Sequence, residues 1–263
     1  MVDAALLNWT TEQIMRVLMI MVRVGPLLFL MPVIGGPTIP SQVKILLVVM
    51  TSLVLAPMVP VSGADLPTTP LGFALFAALE IIFAVILALF VRFVFSAVDL
   101  AGQVVGVQMG MGMAGVIDPV FGNQVSPVGM LWNIATILLF LAIDGHHLFF
   151  SAMVQGYQWV GPGQLAAVDQ LSYQGIMDGA SQMFVLAIMI MAPTSVALFF
   201  SHVAMGVIAK TVPQIPILIV GMPLNIAIGI IFAGLSMGYL APLLVARFEM
   251  LHRLLPGIGA GLG

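Results

Sequence analysis

Residues 211–246, TVPQIPILIVGMPLNIAIGIIFAGLSMGYLAPLLVA, contain no Asp, Glu, Lys or Arg. Three further stretches, 45–64, 119–143 and 179–209, are equally free of these four residues. A helix needs about 20 apolar residues to cross the hydrocarbon core of a bilayer, and each stretch reaches that length. The sequence therefore predicts an all-α, polytopic membrane protein, embedded in the lipid bilayer.

The composition of the whole chain narrows the class of function. Charged residues make up 6% of the 263 residues, whereas soluble domains carry roughly 25%. The net charge of −3 leaves no basic face for a nucleic acid, and the absence of cysteine excludes disulfides and thiolate metal sites. No stretch is typical of a soluble domain or linker, so we expect a single membrane domain over residues 1–263.

About six apolar segments can be assigned along the chain, and they divide the domain into four regions. The segments are 13–31, 44–57, 71–98, 125–143, 179–204 and 215–245. The regions are N-terminal helices in 1–98, a Gly/Met-rich plug-like segment in 99–124, a fourth helix and loop in 125–176, and a C-terminal hairpin-like region in 177–250.

The distribution of basic residues indicates the orientation. The loops 58–70 and 144–177 contain acidic residues and no Lys or Arg, so the positive-inside rule places both outside. Lys210 and Arg247 both favour the cytoplasm, yet a single span over 211–246 would separate them. Either Lys210 breaks the rule or the chain folds back at residues 221–223, and the sequence leaves both alternatives open.

Five charged side chains within or beside the apolar segments are candidates for assembly contacts or an aqueous pathway, because isolated charges in lipid are costly. For Arg23, snorkelling to the interface is the alternative interpretation. Glu80 and Arg92 are separated by about 18 Å along a helix, so each needs a partner on another helix or exposure to water. The five are Arg16, Arg23, Glu80, Arg92 and Lys210.

The segment after the third apolar stretch, DLAGQVVGVQMGMGMAGVIDP over 99–119, is rich in Gly and Met. If it is helical, Gly102, Gly106 and Gly110 form a small-residue stripe that allows close helix packing. Glycine also weakens a helix by about 1 kcal/mol relative to alanine, and methionine adapts to irregular contacts. The alternative prediction is therefore a mobile seal in a pathway.

Motifs for catalysis or cofactor binding are weak in this sequence. Asp144-Gly145-His146-His147 contains metal-ligand types, but adjacent imidazoles point in different directions on a helix and no further ligand follows at standard spacing. We interpret these residues as a helix cap with interfacial histidines. No nucleophile motif or catalytic acid pair is present, so we predict neither an enzyme nor a cofactor.

An ordered set of short motifs resembles the FliR family, the export-gate subunits of the flagellar type III secretion apparatus. The motifs are Gly106-Val-Gln108-Met109-Gly110, Asp118-Pro119, Asp144-Gly-His-His, Ala192-Pro193, Pro213-Gln214 and Gly221-Met-Pro223-Leu. The resemblance implies a subunit in the bacterial inner membrane and flagellar basal body. Its partners would be FliP-like and FliQ-like membrane subunits, a FlhB-like protein and exported unfolded proteins.

The resemblance also implies roles for particular regions. Residues 106–122 would correspond to the plug that closes the channel, and residues 177–245 to a portion similar to a FliQ helical hairpin. The plug or gate residues would be Gly106, Gln108, Met109, Gly110, Met111, Gly112, Met113, Gly115, Asp118 and Pro119.

Three alternatives to a flagellar export gate stay open at this point. One is the homologous gate subunit of a virulence injectisome, although the Gln-Met-Gly form favours the flagellar branch. Another is a secondary transporter, which usually has paired halves with interrupted helices; residues 1–130 and 131–263 show no convincing repeat. The third is an intramembrane enzyme, which the missing catalytic residues disfavour.

Overall fold

The computed structural model describes residues 2–36, 39–59, 69–111, 126–161, 163, 170–214 and 216–260. Every regular element within these ranges is an α-helix, and the predicted all-α membrane class is confirmed. The helices are α1 (Val2–Leu30), α2 (Ser41–Leu55), α3 (Pro70–Gln108), α4 (Pro127–Ala142), α5 (Gly145–Trp159), α6 (Gln170–Thr211) and α7 (Ile217–Ala260).

Not every predicted apolar segment is a helix of membrane-spanning length. Four helices in the described part of the chain, α1, α3, α6 and α7, are long and apolar enough to cross a bilayer. The pair α4 and α5 adds a fifth candidate if the two are counted as one broken span. The second segment forms α2, a helix of 15 residues, which is too short to span alone.

Helix α3 continues to Gln108 rather than ending at Val98, so the first part of the Gly/Met-rich segment is helical. Close packing against the start of α4 explains why glycines are accommodated here. A Cβ built on Gly102 would lie 2.2 Å from the Cα of Gly129, and one on Gly106 would lie 2.4 Å from Ser126 Oγ. The small-residue stripe thus serves packing within the chain.

Helices α6 and α7 form an antiparallel hairpin. Ser201 Oγ donates to Asn225 Oδ1 at 2.7 Å near the turn, and Arg247 Nη1 donates to Gln182 Oε1 at 2.8 Å far from it. Helix α7 runs without a break through residues 221–223, so the alternative that the chain folds back there is wrong. Lys210 lies at the turn-proximal end of α6.

The turn between α1 and α2 is held by a buried lysine. Lys44 Nζ donates to the carbonyl oxygens of Gly35 and Gly36 at 3.0 and 2.9 Å, and Gly35 N–H donates to Met31 O at 2.7 Å. Prolines 32, 37 and 40 cannot continue a helix, so the side chain of Lys44 satisfies carbonyls that a helix would otherwise pair.

The chain divides into two compact units, and α3, α6 and α7 each contribute to both. Unit 1 comprises residues 1–92, 144–179 and 249–263, and unit 2 comprises 93–143 and 180–248. The core of unit 1 includes Ile20, Leu27 and Phe83. In unit 2, the rings of Phe95, Phe140 and Phe248 pack together with centroids 5.2 to 6.0 Å apart.

Candidate functional site

The end of α3 is a glycine-terminated helix cap in unit 2. Gly110 has φ of +85°, its N–H donates to Val107 O at 2.9 Å, and Met111 N–H donates to Gly106 O at 3.0 Å. This pair of bonds around a left-handed residue is the Schellman motif, which favours glycine because it carries no Cβ. The sequence therefore stops α3 at a defined place and turns the chain abruptly.

Met109, immediately before this turn, is fully buried in unit 2. Its side chain occupies the space that a Cβ on Gly229 of α7 would require, with Cε, Cγ and Sδ 2.6 to 2.7 Å from that position. Met222, also on α7, lies over Gly110, with its Cε 3.7 Å from the corresponding Cβ position. The thioethers of Met109 and Met222 therefore pack the end of α3 onto α7.

Five of the ten predicted plug residues belong to this capped end and five lie outside the described residues. Gln108 is half-buried, and its Oε1 is buried without a hydrogen-bond partner among the described residues. The residues outside the description are Gly112, Met113, Gly115, Asp118 and Pro119.

A buried ion pair is the main polar feature of unit 1. Arg23 of α1 and Glu80 of α3 have side chains only 1% and 2% exposed. Arg23 donates through Nε to Glu80 Oε2 and through Nη2 to Glu80 Oε1, the latter at 3.0 Å. Glu80 thus has a partner on another helix, while the interpretation of Arg23 as a snorkelling side chain is wrong because that side chain lies inside the fold.

The segment that follows α5 completes the surroundings of this pair. Arg23 Nη1 donates to Val160 O at 3.1 Å, and Gly163 N–H donates to Glu80 Oε1 at 2.8 Å. The guanidinium carbon lies 4.5 Å from the ring centroid of Phe83 and 4.1 Å from that of Tyr157. Charge pairing, hydrogen bonds and two cation–π contacts together offset the cost of burying the charges.

The ion pair joins parts of the chain that are distant in sequence. Glu80 and Arg23 are 57 residues apart, and Val160 is 137 residues from Arg23. Gly163 is suited to its place because its φ is +71° and a Cβ there would lie 2.7 Å from Phe76 Cδ2. The arrangement holds the end of α5 against α1 and α3.

The other predicted polar residues lie in different surroundings. Arg16 is half-buried, and its Nε has no hydrogen-bond partner among the described residues. Arg92 and Lys210 are exposed. Among these five charges, the structure joins Arg23 and Glu80 by hydrogen bonds.

Asp144, His146 and His147 come together at the start of α5. One ligand-type atom from each residue lies within 4.8 Å of the others. Asp144 stands at the N-cap position, but its carboxylate makes no capping hydrogen bond. Asp144 therefore occupies the predicted cap position of α5, where its backbone carbonyl accepts from His147 N–H at 2.9 Å.

Residues that shape both sites carry little signal in the sequence. Gly229 and Met222 lie in an apolar stretch without a distinctive motif. In the structure, Gly229 packs against Met109, and Met222 packs against Gly110. Tyr157 and Gly163 contact the ion pair, although the sequence predicts a loop over residues 144–177, where both lie. Only the proline and glycine content around Gly163 indicates a special backbone conformation.

These features define a polytopic helical membrane protein with a Gly/Met-rich segment after a capped helix and a buried ion pair. Residues 14–251 match the family described as "Bacterial export proteins, family 1", and the chain belongs to this family. The predicted family and the predicted location as a multi-pass protein of the bacterial inner membrane are thereby confirmed.

Named relatives come from flagellar and virulence secretion systems. The chain is 27% identical over 239 residues to flagellar biosynthetic protein FliR of Escherichia coli (strain K12), with 90% of both chains covered. It is 29% identical over 241 residues to FliR of Pectobacterium carotovorum subsp. carotovorum, again with 90% of both covered. It is 26% identical over 150 residues to Yop proteins translocation protein T of Yersinia pestis, with 57% of this chain and 58% of the relative covered.

Proposed function

We propose that this chain is a non-enzymatic subunit of the flagellar type III protein-export gate. With FliP-like and FliQ-like membrane subunits, and with a FlhB-like protein nearby, it forms the channel through which unfolded flagellar proteins cross the inner membrane. The flagellar relatives cover nine-tenths of both aligned chains, which supports carrying the function of the whole relative to the whole chain.

The observation that carries the gate role is the capped end of α3. Met109 is buried against Gly229 and the chain turns at Gly110, so the Gly/Met-rich run begins from an anchored point. An anchored start followed by a segment with little helix propensity is suited to a closure that moves without unfolding the helix behind it.

Methionine suits such a closure for a physical reason. The thioether is apolar, flexible and polarisable, so Met109 and Met222 adapt to a neighbour while excluding water and ions. During export we expect the closure to open and an extended polypeptide to take its place, while Met109 stays buried against Gly229. The free energy for transport comes from an ion gradient and an ATPase elsewhere, because the chain itself offers no nucleotide motif.

A second candidate is the gate subunit of a virulence injectisome, which the Yersinia relative favours. That relative aligns with a smaller share of the chain than the flagellar relatives do. The flagellar assignment is therefore preferred, and the two candidates predict the same gate chemistry with different cargo.

Affinity purification of the tagged full chain from its native membrane tests the assignment. We expect two further, different small membrane proteins of the FliP and FliQ types to copurify in one complex, and a chromosomal deletion to abolish motility while secretion of unrelated proteins continues. A homogeneous particle that contains only copies of this chain would support a secondary transporter and overturn the proposal.

A further inference from the structure

We propose that Asp144, His146 and His147 form a zinc-binding site at the start of α5. The site takes one Zn²⁺ ion with two imidazole nitrogens and one carboxylate oxygen, and a water molecule completes the tetrahedron. This proposal is independent of the export function, because it rests only on the geometry of these three residues in unit 1.

The backbone at the break between α4 and α5 brings the three side chains together. Asp144 has φ of +55° and is the one non-glycine residue with positive φ in the described part of the chain. Aspartate is one of the few non-glycine residues that adopt this conformation routinely, so the chain can turn here with little strain. The left-handed turn brings the Asp144 carboxylate beside the first turn of α5, where one ligand-type atom from each of the three residues lies within 4.8 Å of the others.

Two of the three ligand groups lack the partners that their positions normally provide. An aspartate at an N-cap usually accepts a hydrogen bond from the first turn of the helix, whereas the Asp144 carboxylate does not. His146 Nδ1 is buried and has no hydrogen-bond partner among the described residues. A buried ring nitrogen without a partner is costly, and coordination to a metal ion satisfies it.

The donor set favours zinc over hard cations. Two imidazoles and one carboxylate are the ligands of many three-residue zinc sites that keep a fourth position for water, whereas Ca²⁺ and Mg²⁺ prefer oxygen ligands. The rings of His146 and His147 have centroids 4.4 Å apart and are tilted by 60°, so small side-chain rotations bring their nitrogens to one ion.

Helix electrostatics make the aspartate essential to the site. The N-terminus of α5 carries a partial positive charge that opposes a cation, and His146 and His147 contribute no negative charge. Asp144 is therefore the group that offsets the dipole. Two surface histidines without a carboxylate lack this negative charge. The presence of Asp144 therefore distinguishes the proposed site from adventitious zinc binding by imidazoles.

Titration with Zn²⁺ alone tests the site in the full chain, purified together with the subunits that copurify and stripped of metal with a chelator. We expect one tightly bound zinc per copy of the chain by elemental analysis after gel filtration. Substituting Co²⁺ should produce the absorption spectrum of a tetrahedral site. Asp144→Asn, His146→Gln and His147→Gln should each lower the affinity by about tenfold or more.

The controls separate coordination from general damage. Asparagine adopts left-handed backbone conformations readily, so Asp144→Asn keeps the turn and removes only the charge. Asp178→Asn and His202→Gln alter an exposed carboxylate and an exposed imidazole elsewhere and should leave zinc binding unchanged. If wild type binds no more zinc than a variant that combines Asp144→Asn, His146→Gln and His147→Gln, or if Asp144→Asn alone binds as tightly as wild type, the proposed three-ligand site is wrong.

Discussion

At the scale of single residues, Arg23 and Glu80 allow a sharp test of what a buried charge costs in this protein. We expect Arg23→Met or Glu80→Leu alone to destabilise the protein by about 3–5 kcal/mol, because each leaves the other charge buried without a partner. The double variant should be far less destabilised, since it removes both charges. Thermal unfolding of the detergent-purified complex measures all three.

Glu80→Gln and Arg92→Met complete this comparison. Glutamine retains an acceptor for Arg23 and for the Gly163 N–H, so Glu80→Gln should be milder than Glu80→Leu in a motility assay. Arg92 is exposed, and Arg92→Met is the matched loss of a charge from α3 outside the ion pair. Equal damage from the single and double variants would contradict the view that the two charges stabilise each other.

Gly229 and Gly234 provide a matched pair on α7. A Cβ at Gly229 would collide with Met109, whereas one at Gly234 meets nothing within 4 Å. Gly229→Ala should therefore destabilise the protein by about 1–3 kcal/mol through overpacking and should raise ion leakage by displacing Met109. Gly234→Ala should leave membranes ion-tight and stabilise α7 by up to about 1 kcal/mol.

Conductance of the reconstituted complex and its unfolding midpoint distinguish these two variants. An ion-tight Gly229→Ala complex with an unchanged midpoint would show that Met109 does not seal against α7.

The partner of Glu80 illustrates what the sequence can and cannot predict at this scale. The cost of a charge in an apolar segment predicts that Glu80 needs a partner on another helix or water. Arg16, Arg23 and Lys210 are the candidates outside α3, and no local pattern relates residues 57 apart. Tertiary packing, with the rings of Tyr157 and Phe83 against the guanidinium, selects Arg23.

At the scale of elements, a deletion at the end of α3 tests the proposed gate directly. Deleting residues 110–115 removes the Schellman glycine and the start of the Gly/Met-rich run. We expect membranes that contain this variant to leak ions while the complex still assembles. Electrophysiology on the purified complex, or growth sensitivity of the cells, measures the leak.

Substitutions at Gly110 provide the control for this deletion. Asparagine tolerates the left-handed conformation and valine does not, so Gly110→Asn should stay ion-tight and Gly110→Val should leak. An assembled deletion variant that holds ions as well as wild type would remove the basis for a plug in this segment.

The C-terminal end of α3 is harder to predict from the sequence than the presence of the helix. The apolar run over 71–98 predicts a helix, while Asp99 and the glycines that follow it favour an end near Val98. The structure continues α3 to Gln108 because Gly102 and Gly106 fit against the start of α4. Close packing between helices overrides an intrinsic propensity, and single-sequence patterns do not contain that information.

At the scale of the whole molecule, the charged side chains that the lone chain leaves exposed predict dependence on partners. Arg92 of α3 and Lys210 of α6 are exposed, and a charged group that faces lipid is costly. Expressed alone, the chain should be degraded or aggregate, and co-expression with FliP-like and FliQ-like subunits should rescue it.

The yield of monodisperse protein in detergent, with and without these subunits, measures the effect. Co-expression with an unrelated multi-pass membrane protein is the control, and rescue by that protein would show that membrane insertion rather than specific assembly limits the yield.

The length of α6 has a consequence for the depth at which the protein sits. Its 42 residues extend about 63 Å, whereas the hydrocarbon layer is about 30 Å thick. Fitting the whole helix into that layer needs a tilt of roughly 60°, and membrane helices tilt by at most about 40°. Much of α6 therefore stands clear of the lipid tails. In the proposed complex we expect contacts with neighbouring subunits, rather than hydrophobic matching to the bilayer, to set its vertical position.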